Sequence, residues 1–215
     1  MWYTCTMKIL KPKIKNCVIN NFEECYKNRV FENSIFEVCN NDKKVLKDIV
    51  IDSCIFKNID FSNIELIDVD LIDVRFENCD LSNKTFDYKL IERVEFINCK
   101  MTGISFMESS IKDVYIDSCV CKYSNFSGSK INKLIVDSSD MLNSSFVETM
   151  FKNIEFNKVN FEECELFNVD LNDIDFSNCN IRNILIDKNS LKGMIIDKFQ
   201  SQDLIHMLGV KIKNE

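Results

Sequence analysis

The sequence predicts an all-β chain coiled as a parallel solenoid and closed at its C-terminal end by a short α-helix. Three observations carry that expectation. From Phe31 to Ile196 every fifth residue is apolar in one unbroken phase, 33 of 34 positions, with Asn41 the exception. Two residues after each such position, between Asn33 and Gly193, 19 of 33 residues are Asn, Asp or Gly, types that tolerate turn conformations or bond locally to the backbone. Above this period lies a second one of 20. Phe36, Phe56, Phe76 and Phe96 form one series, and Phe86, Phe106, Phe126 and Phe146 another.

A helix repeats its buried face about every 3.6 residues and a strand about every 2. A period of five needs a chain that turns a corner each time it deposits an inward side chain. The stretch 54–68 shows the arrangement: a large apolar residue at a central position i (Phe56, Phe61, Leu66), a smaller or β-branched one at i−2 (Cys54, Ile59, Ile64), and Asn or Asp at i+2 (Asn58, Asn63, Asp68). Fourteen of the 17 phenylalanines take the central slot, so that slot is the core. Four units then make one coil. Coils stacked at strand-pairing distance, about 4.8 Å, let phenylalanines of one series stack ring on ring, and each coil bonds to the next.

The elements follow in chain order. Residues 1–25 hold Ile9, Ile14 and Ile19 in a different phase and are expected to form an irregular first coil or cap. Residues 26–196 are the solenoid. Two in-phase defects interrupt its apolar lining, Asn40–Lys44 and Lys84–Lys89; an unpaired lysine is expensive to bury, so local bulges are expected at both. Residues 197–215 abandon the repeat. There Ser201 is expected to cap a short helix with Leu204, Ile205 and Leu208 on its apolar face and Gly209 at its end. Such a helix needs packing, and it either plugs its own coil or pairs with a second subunit.

With 46% hydrophobic residues, one Pro and four Gly, the composition suits one globular domain. No stretch reaches bilayer length, and the basic start lacks the apolar core of a signal peptide, so a cytoplasmic protein without a membrane partner is expected. Of the 11 cysteines, Cys39, Cys54, Cys79, Cys99, Cys119, Cys164 and Cys179 sit at i−2 and Cys121 at a central slot, so burial accounts for them. Neighbours in one column point in parallel, which is poor disulfide geometry. Cys119 and Cys121 have no second ligand pair nearby, and no metal site is expected. The one histidine, His206, lies on the C-terminal segment; no phosphate-cradling loop or nucleophile elbow occurs. Neither an enzyme nor a cofactor is expected.

With over thirty in-phase units across about 170 of its 215 residues, the chain resembles the pentapeptide-repeat proteins. The resemblance implies a right-handed quadrilateral parallel β-helix. Within that family it is most similar to the loop-free quinolone-resistance type of Gram-positive bacteria. That type implies mimicry of DNA, a partner in DNA gyrase or topoisomerase IV, and a homodimer joined through the C-terminal end, here Phe199, Leu204, Ile205 and Leu208. The Gram-negative quinolone-resistance proteins carry two loops that break the coil; here the phase never slips after Phe31.

The surface carries the rest. A net charge of −7 argues against direct nucleic-acid binding and allows an acidic protein facing a basic one. The 20-residue period places Glu77, Glu95, Asp117, Asp137, Glu155 and Asp175 on one side, the candidate partner-binding face, against Arg75, Lys57 and Lys158. The opposite side carries Glu65, Asp68, Asp87, Glu108, Glu148, Glu165 and Asp187. The alternative is a scaffold with another partner, for which Ile67, Met107, Val147 and Phe167 would form an apolar patch.

Overall fold

The computed structural model describes residues 7–205. The elements are β1 (Val18–Ile19), α1 (Phe22–Asn28), β2 (Phe31–Glu32), β3 (Ser34–Phe36), β4 (Lys44–Asp52), β5 (Ile55–Lys57), β6 (Ile64–Glu77), β7 (Leu90–Ile97), β8 (Ser110–Asp117), β9 (Lys130–Asp137), β10 (Met150–Asn157), β11 (Glu165–Leu166), β12 (Leu185–Ile186) and α2 (Ser201–Ile205). Every pairing between β2 and β12 is parallel with a register of 20, as in Phe56↔Phe76, Ile91↔Ile111 and Glu165↔Leu185. The predicted parallel β-helix is therefore present, with one coil per 20 residues.

Its corners fall where the five-residue period puts them. Almost every i+2 residue has a positive φ, from Asn33 (47°) through Asp73, Asn98 and Asn143 to Asn183 (56°). Asn and Asp accept this conformation at little cost; Tyr88, Arg93, Tyr123 and Lys133 adopt it too, with φ of 53° to 63°. Two adjoining sides of the square are continuous strand, written in β-branched residues, as in Ile91 and Val94 of β7 and Ile131 and Val136 of β9. The other two sides are turns joined by isolated bridges, where the text is rich in Ser, Asn and Gly, as in 121–129.

The core is a set of columns. Phe36, Phe56, Phe76 and Phe96 stack at 5.0, 5.1 and 5.3 Å between ring centroids, and Phe86, Phe106, Phe126 and Phe146 at 5.5, 5.1 and 4.9 Å. The i−2 slot does more than limit size. Cys79, Cys99, Cys119 and Cys164 each donate to the carbonyl 23 residues back, and Ser109, Ser144 and Thr149 do the same. A thiol or hydroxyl in this slot satisfies a carbonyl of the preceding coil, so Cys and Ser are interchangeable there. All the cysteines described are free.

Both open ends are covered. At the N-terminal end β1 pairs with β3, and α1, capped by the Asn21 side chain at the amides of Glu23 and Glu24, inserts Phe22 edge-on between Phe31 and Phe36. At the other end Gln200 donates to the carbonyls of Phe176 and Cys179, at 2.8 and 2.7 Å, replacing the coil that would follow. Asp197, rather than the expected Ser201, accepts the amides of Phe199 and Gln200 ahead of α2; the Ser201 hydroxyl turns back to the Lys198 carbonyl.

The two predicted defects differ. Around 40–44 the regular turn is lost and Asn41 is exposed, while Lys44 is buried but paired: its amine ion-pairs with Glu23 of α1 at 3.1 Å and donates to Asn40 and the Asp42 carbonyl. No bulge forms at 84–89. Thr85 keeps its bridge to Ser105, and the lysine amines reach out of the slot along their stems, Lys89 to Asp68 at 2.7 Å and Lys84 to the Ser62 carbonyl at 3.5 Å.

Residues 7–17 form no irregular first coil. They run along the outside of the solenoid: the amide of Met7 donates to Glu155, that of Leu10 to Asp113 and that of Lys13 to Asp73, and the Cys17 thiol bonds the Ser53 carbonyl. Three residues of this strap cross two coils, roughly 9.6 Å at the sheet spacing or about 3.2 Å per residue, the reach of an extended chain. Asn16, with φ 58°, turns it into β1.

Candidate partner-binding surface

The six acids of the predicted face do lie on one side of the solenoid, but its two halves differ. In the N-terminal half Arg75 engages both acids and offsets half their charge: its guanidinium donates to Glu95 at 2.6 Å and Glu77 at 3.3 Å. Glu95 is only 3% exposed. It belongs to a packed ion pair and is withdrawn from any free binding face, a correction the period alone could not supply. In the C-terminal half, among the described residues, none of Asp117, Asp137, Glu155 and Asp175 is ion-paired.

Three of those four acids open onto a groove of about 540 Å³ whose walls include Asp137, Glu155, Asp173 and Asp175 with Tyr115 and Ile135, and which Met7 borders. Acid and apolar surface adjoin here because the slots of successive coils change from apolar to acidic along one column, Tyr115 and Ile135 being followed by Glu155 and Asp175. The carboxylates are oriented by local bonds: Asp137 accepts from Asn157 at 2.9 Å, and Asp175 from the Ser177 amide at 2.8 Å.

The opposite side keeps its acids further into solvent. Glu65, Asp68, Glu108 and Glu148 are exposed; Asp87, Glu165 and Asp187 are half-buried. Lys89 pairs with Asp68. The Ser190 hydroxyl, with the amides of Asn168, Ser190 and Asn189, holds the Asp187 carboxyl well below the usual carboxylate range despite some opposing desolvation. In the column running between these acids, Ile67, Met107 and Val147 are half-buried and Phe167 is 36% exposed, a row of apolar residues rather than a continuous patch.

Of the residues assigned to dimerisation, Leu204 is buried in its own chain's core and so is a plug, Ile205 is half-buried, Phe199 is exposed, and Leu208 lies outside the described residues, as does His206. Among the described residues no cluster of His, Cys, Asp or Glu could hold a metal ion, and no helix is long and apolar enough to cross a membrane. Sequence reasoning missed Asp73 and Asp113, the corner carboxylates beneath the strap. Their alternation with Arg93 and Lys133 in one column was the available signal.

Among solved structures, a trypsin-treated variant of QnrB1, a plasmid-mediated fluoroquinolone resistance protein, is similar with TM-score 0.43 and 22% identity over 85% of this chain and 89% of that one. HetL, a pentapeptide-repeat protein involved in heterocyst differentiation regulation from the cyanobacterium Nostoc sp. strain PCC 7120, matches with TM-score 0.34 and 11% identity over 82% of this chain and 95% of that one. No curated protein sequence is significantly similar. The family model for the pentapeptide repeat region matches residues 69–146, and that for pentapeptide repeats (8 copies) matches 46–83 and 144–183. Together with the 20-residue register and the corner at every fifth residue, these matches place the chain in the pentapeptide-repeat family.

Proposed function

We propose that this protein is a non-catalytic acidic rod of the cytoplasm that binds a type II topoisomerase, DNA gyrase or topoisomerase IV, at its basic DNA-binding surface and modulates the enzyme or protects it from quinolones. One observation carries the reading. Residues 31–196 hold 18 Lys and Arg against 29 Asp and Glu, a net charge of −11, on a narrow solenoid. At about 4.8 Å per coil the rod is roughly 40 Å long, so it carries one net negative charge per ~4 Å, against one per ~1.7 Å of duplex DNA. The solenoid is a diluted electrostatic copy of a duplex, and its binding weakens with added salt. The choice of topoisomerase as partner rests on the resemblance of the repeat to the quinolone-resistance type.

The test is gyrase supercoiling with a quinolone, titrating the protein at two salt concentrations beside a drug-free control. Restored supercoiling that fades with salt supports protection by an acidic rod; drug-free inhibition alone supports occlusion of the DNA site. The variant Asp117→Asn, Asp137→Asn, Asp175→Asn should lose most of either effect. No effect in either arm refutes the reading for that enzyme. A scaffold with a different partner is then favoured by the apolar row Ile67, Met107, Val147 and Phe167, and replacing Phe167 by Ser would weaken that binding.

A further inference from the structure

We propose that the corner groove under residues 7–17 is a docking track for an extended, lysine-rich segment of a partner protein, and that the strap is its occupant in cis. The inference rests on reading the solenoid as an acidic binding rod but not on the identity of the partner, and its test contains no topoisomerase.

The track is built by a match of two repeats. A chain in the polyproline II conformation, with three residues per turn and about 3.1 Å of rise per residue, presents an equivalent backbone position every three residues over roughly the distance of two coils. Asp73 and Asp113 stand two coils apart in one corner column, and the amides of Leu10 and Lys13 meet them at 2.9 and 2.7 Å. Glu155, two coils further and one side over, takes the amide of Met7 at 3.3 Å. Pro12, which has no N–H to satisfy, falls between the two donors. The donors are main-chain groups, so the track reads extension and spacing rather than one sequence.

Charge supplies the preference for a basic segment. Residues 7–17 contain Lys8, Lys11, Lys13 and Lys15 and no acid, and they lie on a solenoid of charge −11. All four lysines are exposed, and among the described residues none forms an ion pair. The attraction is diffuse and tolerant of lysine position.

The strap is also poised to leave. Corner residues elsewhere, such as Asn98, Glu108 and Ser118, are exposed, whereas Asp73 and Asp113 are 5% and 1% exposed beneath it. Asp73 is satisfied by Arg93 at 2.6 and 2.7 Å. The Oδ2 of Asp113 is buried without a hydrogen-bond partner, and its nearest cation, Lys133, stands 3.6 Å from the other oxygen. Seating the strap therefore desolvates a carboxylate oxygen that water would satisfy once the strap lifts. That cost offsets part of what the three amide bonds and the half-buried Ile9 and Ile14 contribute, which places the strap among the low-stability segments of the molecule.

The test is amide hydrogen exchange on the full chain, titrated with an acetylated peptide of sequence Lys-Ile-Leu-Lys-Pro-Lys-Ile-Lys, with a control peptide in which all four lysines are Glu. The lysine peptide should raise exchange at Leu10 and Lys13 at least tenfold while Val94 and Val114 in the β-ladder stay unchanged, and the control should do nothing. In Asp113→Asn, exchange at Leu10 should rise before any peptide is added and the peptide should bind more weakly. Leu10 and Lys13 amides that are unprotected from the outset, that ignore the lysine peptide at millimolar concentration, or that respond equally to the Glu peptide would each overturn the proposal. So would an Asp113→Asn protein indistinguishable from the parent.

Discussion

Replacing Phe126 tests whether stacked columns hold the solenoid together. Phe126 is 1% exposed and lies mid-column, 5.1 Å from Phe106 at 21° and 4.9 Å from Phe146 at 4°. Truncation of a core phenylalanine to Ala costs about 3–5 kcal/mol, and an aromatic pair is worth about 0.5–1.5 kcal/mol beyond its area. Phe126 belongs to two such pairs, so Phe126→Ala should sit near the top of that range, about 5 kcal/mol. Leu refills most of the slot and forfeits chiefly the ring contacts, so Phe126→Leu should cost about 1–3 kcal/mol. In urea unfolding followed by circular dichroism, with a slope of about 2–3 kcal/mol per M, the midpoint falls by roughly 2 M for Ala and by about 0.3–1.5 M for Leu. Phe126→Leu and Phe146→Leu share a ring contact and should couple in a double-mutant cycle. A loss under about 1 kcal/mol for Ala, or strict additivity of the Leu pair, would refute the argument that the columns act through ring-on-ring contact.

Three further outcomes are expected. Tyr123 sits at a corner with φ 59° and is 59% exposed, so Tyr123→Asn should relieve about 0.5–1 kcal/mol of left-handed strain and raise Tm by roughly 1–4 °C; a lower Tm in calorimetry would count against the corner assignment. Burial pushes the thiols of Cys54 and Cys164 up to about 12 and that of Cys179 up to about 11, so iodoacetamide at pH 8 should label the half-buried Cys17 and Cys39 first and spare these three until urea unfolds the chain; rapid native labelling of Cys54, read by peptide mass, would contradict the buried slot. Burial works to raise the Asp73 carboxyl, but Arg93 and the Lys13 amide outweigh it and hold it below its ordinary value. A depressed folded pKa gives stability that is present above the unfolded value, about 3.9, and is lost as pH falls through the folded one. Protection of the Lys13 amide should therefore be flat from pH 7 to about 4 and collapse only below the ordinary carboxylate range; loss already at pH 5 would mean Asp73 does not hold the strap.

The solenoid was legible because its information is periodic and local. Each five-residue unit states its own inward slot and its own corner, and an error at Asn41 or Lys84 is outvoted by the units around it. The limits were equally physical. Lys84 and Lys89 read as defects because a lysine in an inward slot suggests a buried charge, yet a long stem can line the slot while its amine reaches water or Asp68. The seven cysteines read as small apolar filler, and the size argument hid a second property that Cys79, Cys99, Cys119 and Cys164 show, a proton for the carbonyl 23 residues back. Ser109 and Ser144 in the same slot were the sign of it.

The strap left no comparable mark, and the reason bears on function. A period assigns each residue its place within a coil but says nothing of what lies over that coil. The bonds that seat residues 7–17 use backbone amides, which every residue but proline carries, so Leu10 and Lys13 look like any others. Only the acceptors were visible, and Asp73 and Asp113 stood at corner slots where exposure is the rule. Charge counted along the sequence therefore overstates the free acidic surface. Arg75 pairs with both Glu77 and Glu95 and offsets one of their two charges, the strap engages Asp73, Asp113 and Glu155, and the acids left unpaired on that side are Asp117, Asp137 and Asp175 at the C-terminal half. A basic partner that engages the whole side must first lift the strap and free Glu155. Binding to the opposite side, where Glu65, Glu108 and Glu148 are exposed, carries no such requirement. The salt dependence of binding should thus differ between a partner that displaces residues 7–17 and one that does not, because only the first replaces the strap's four lysines, which lie near the acids without pairing to them, by its own.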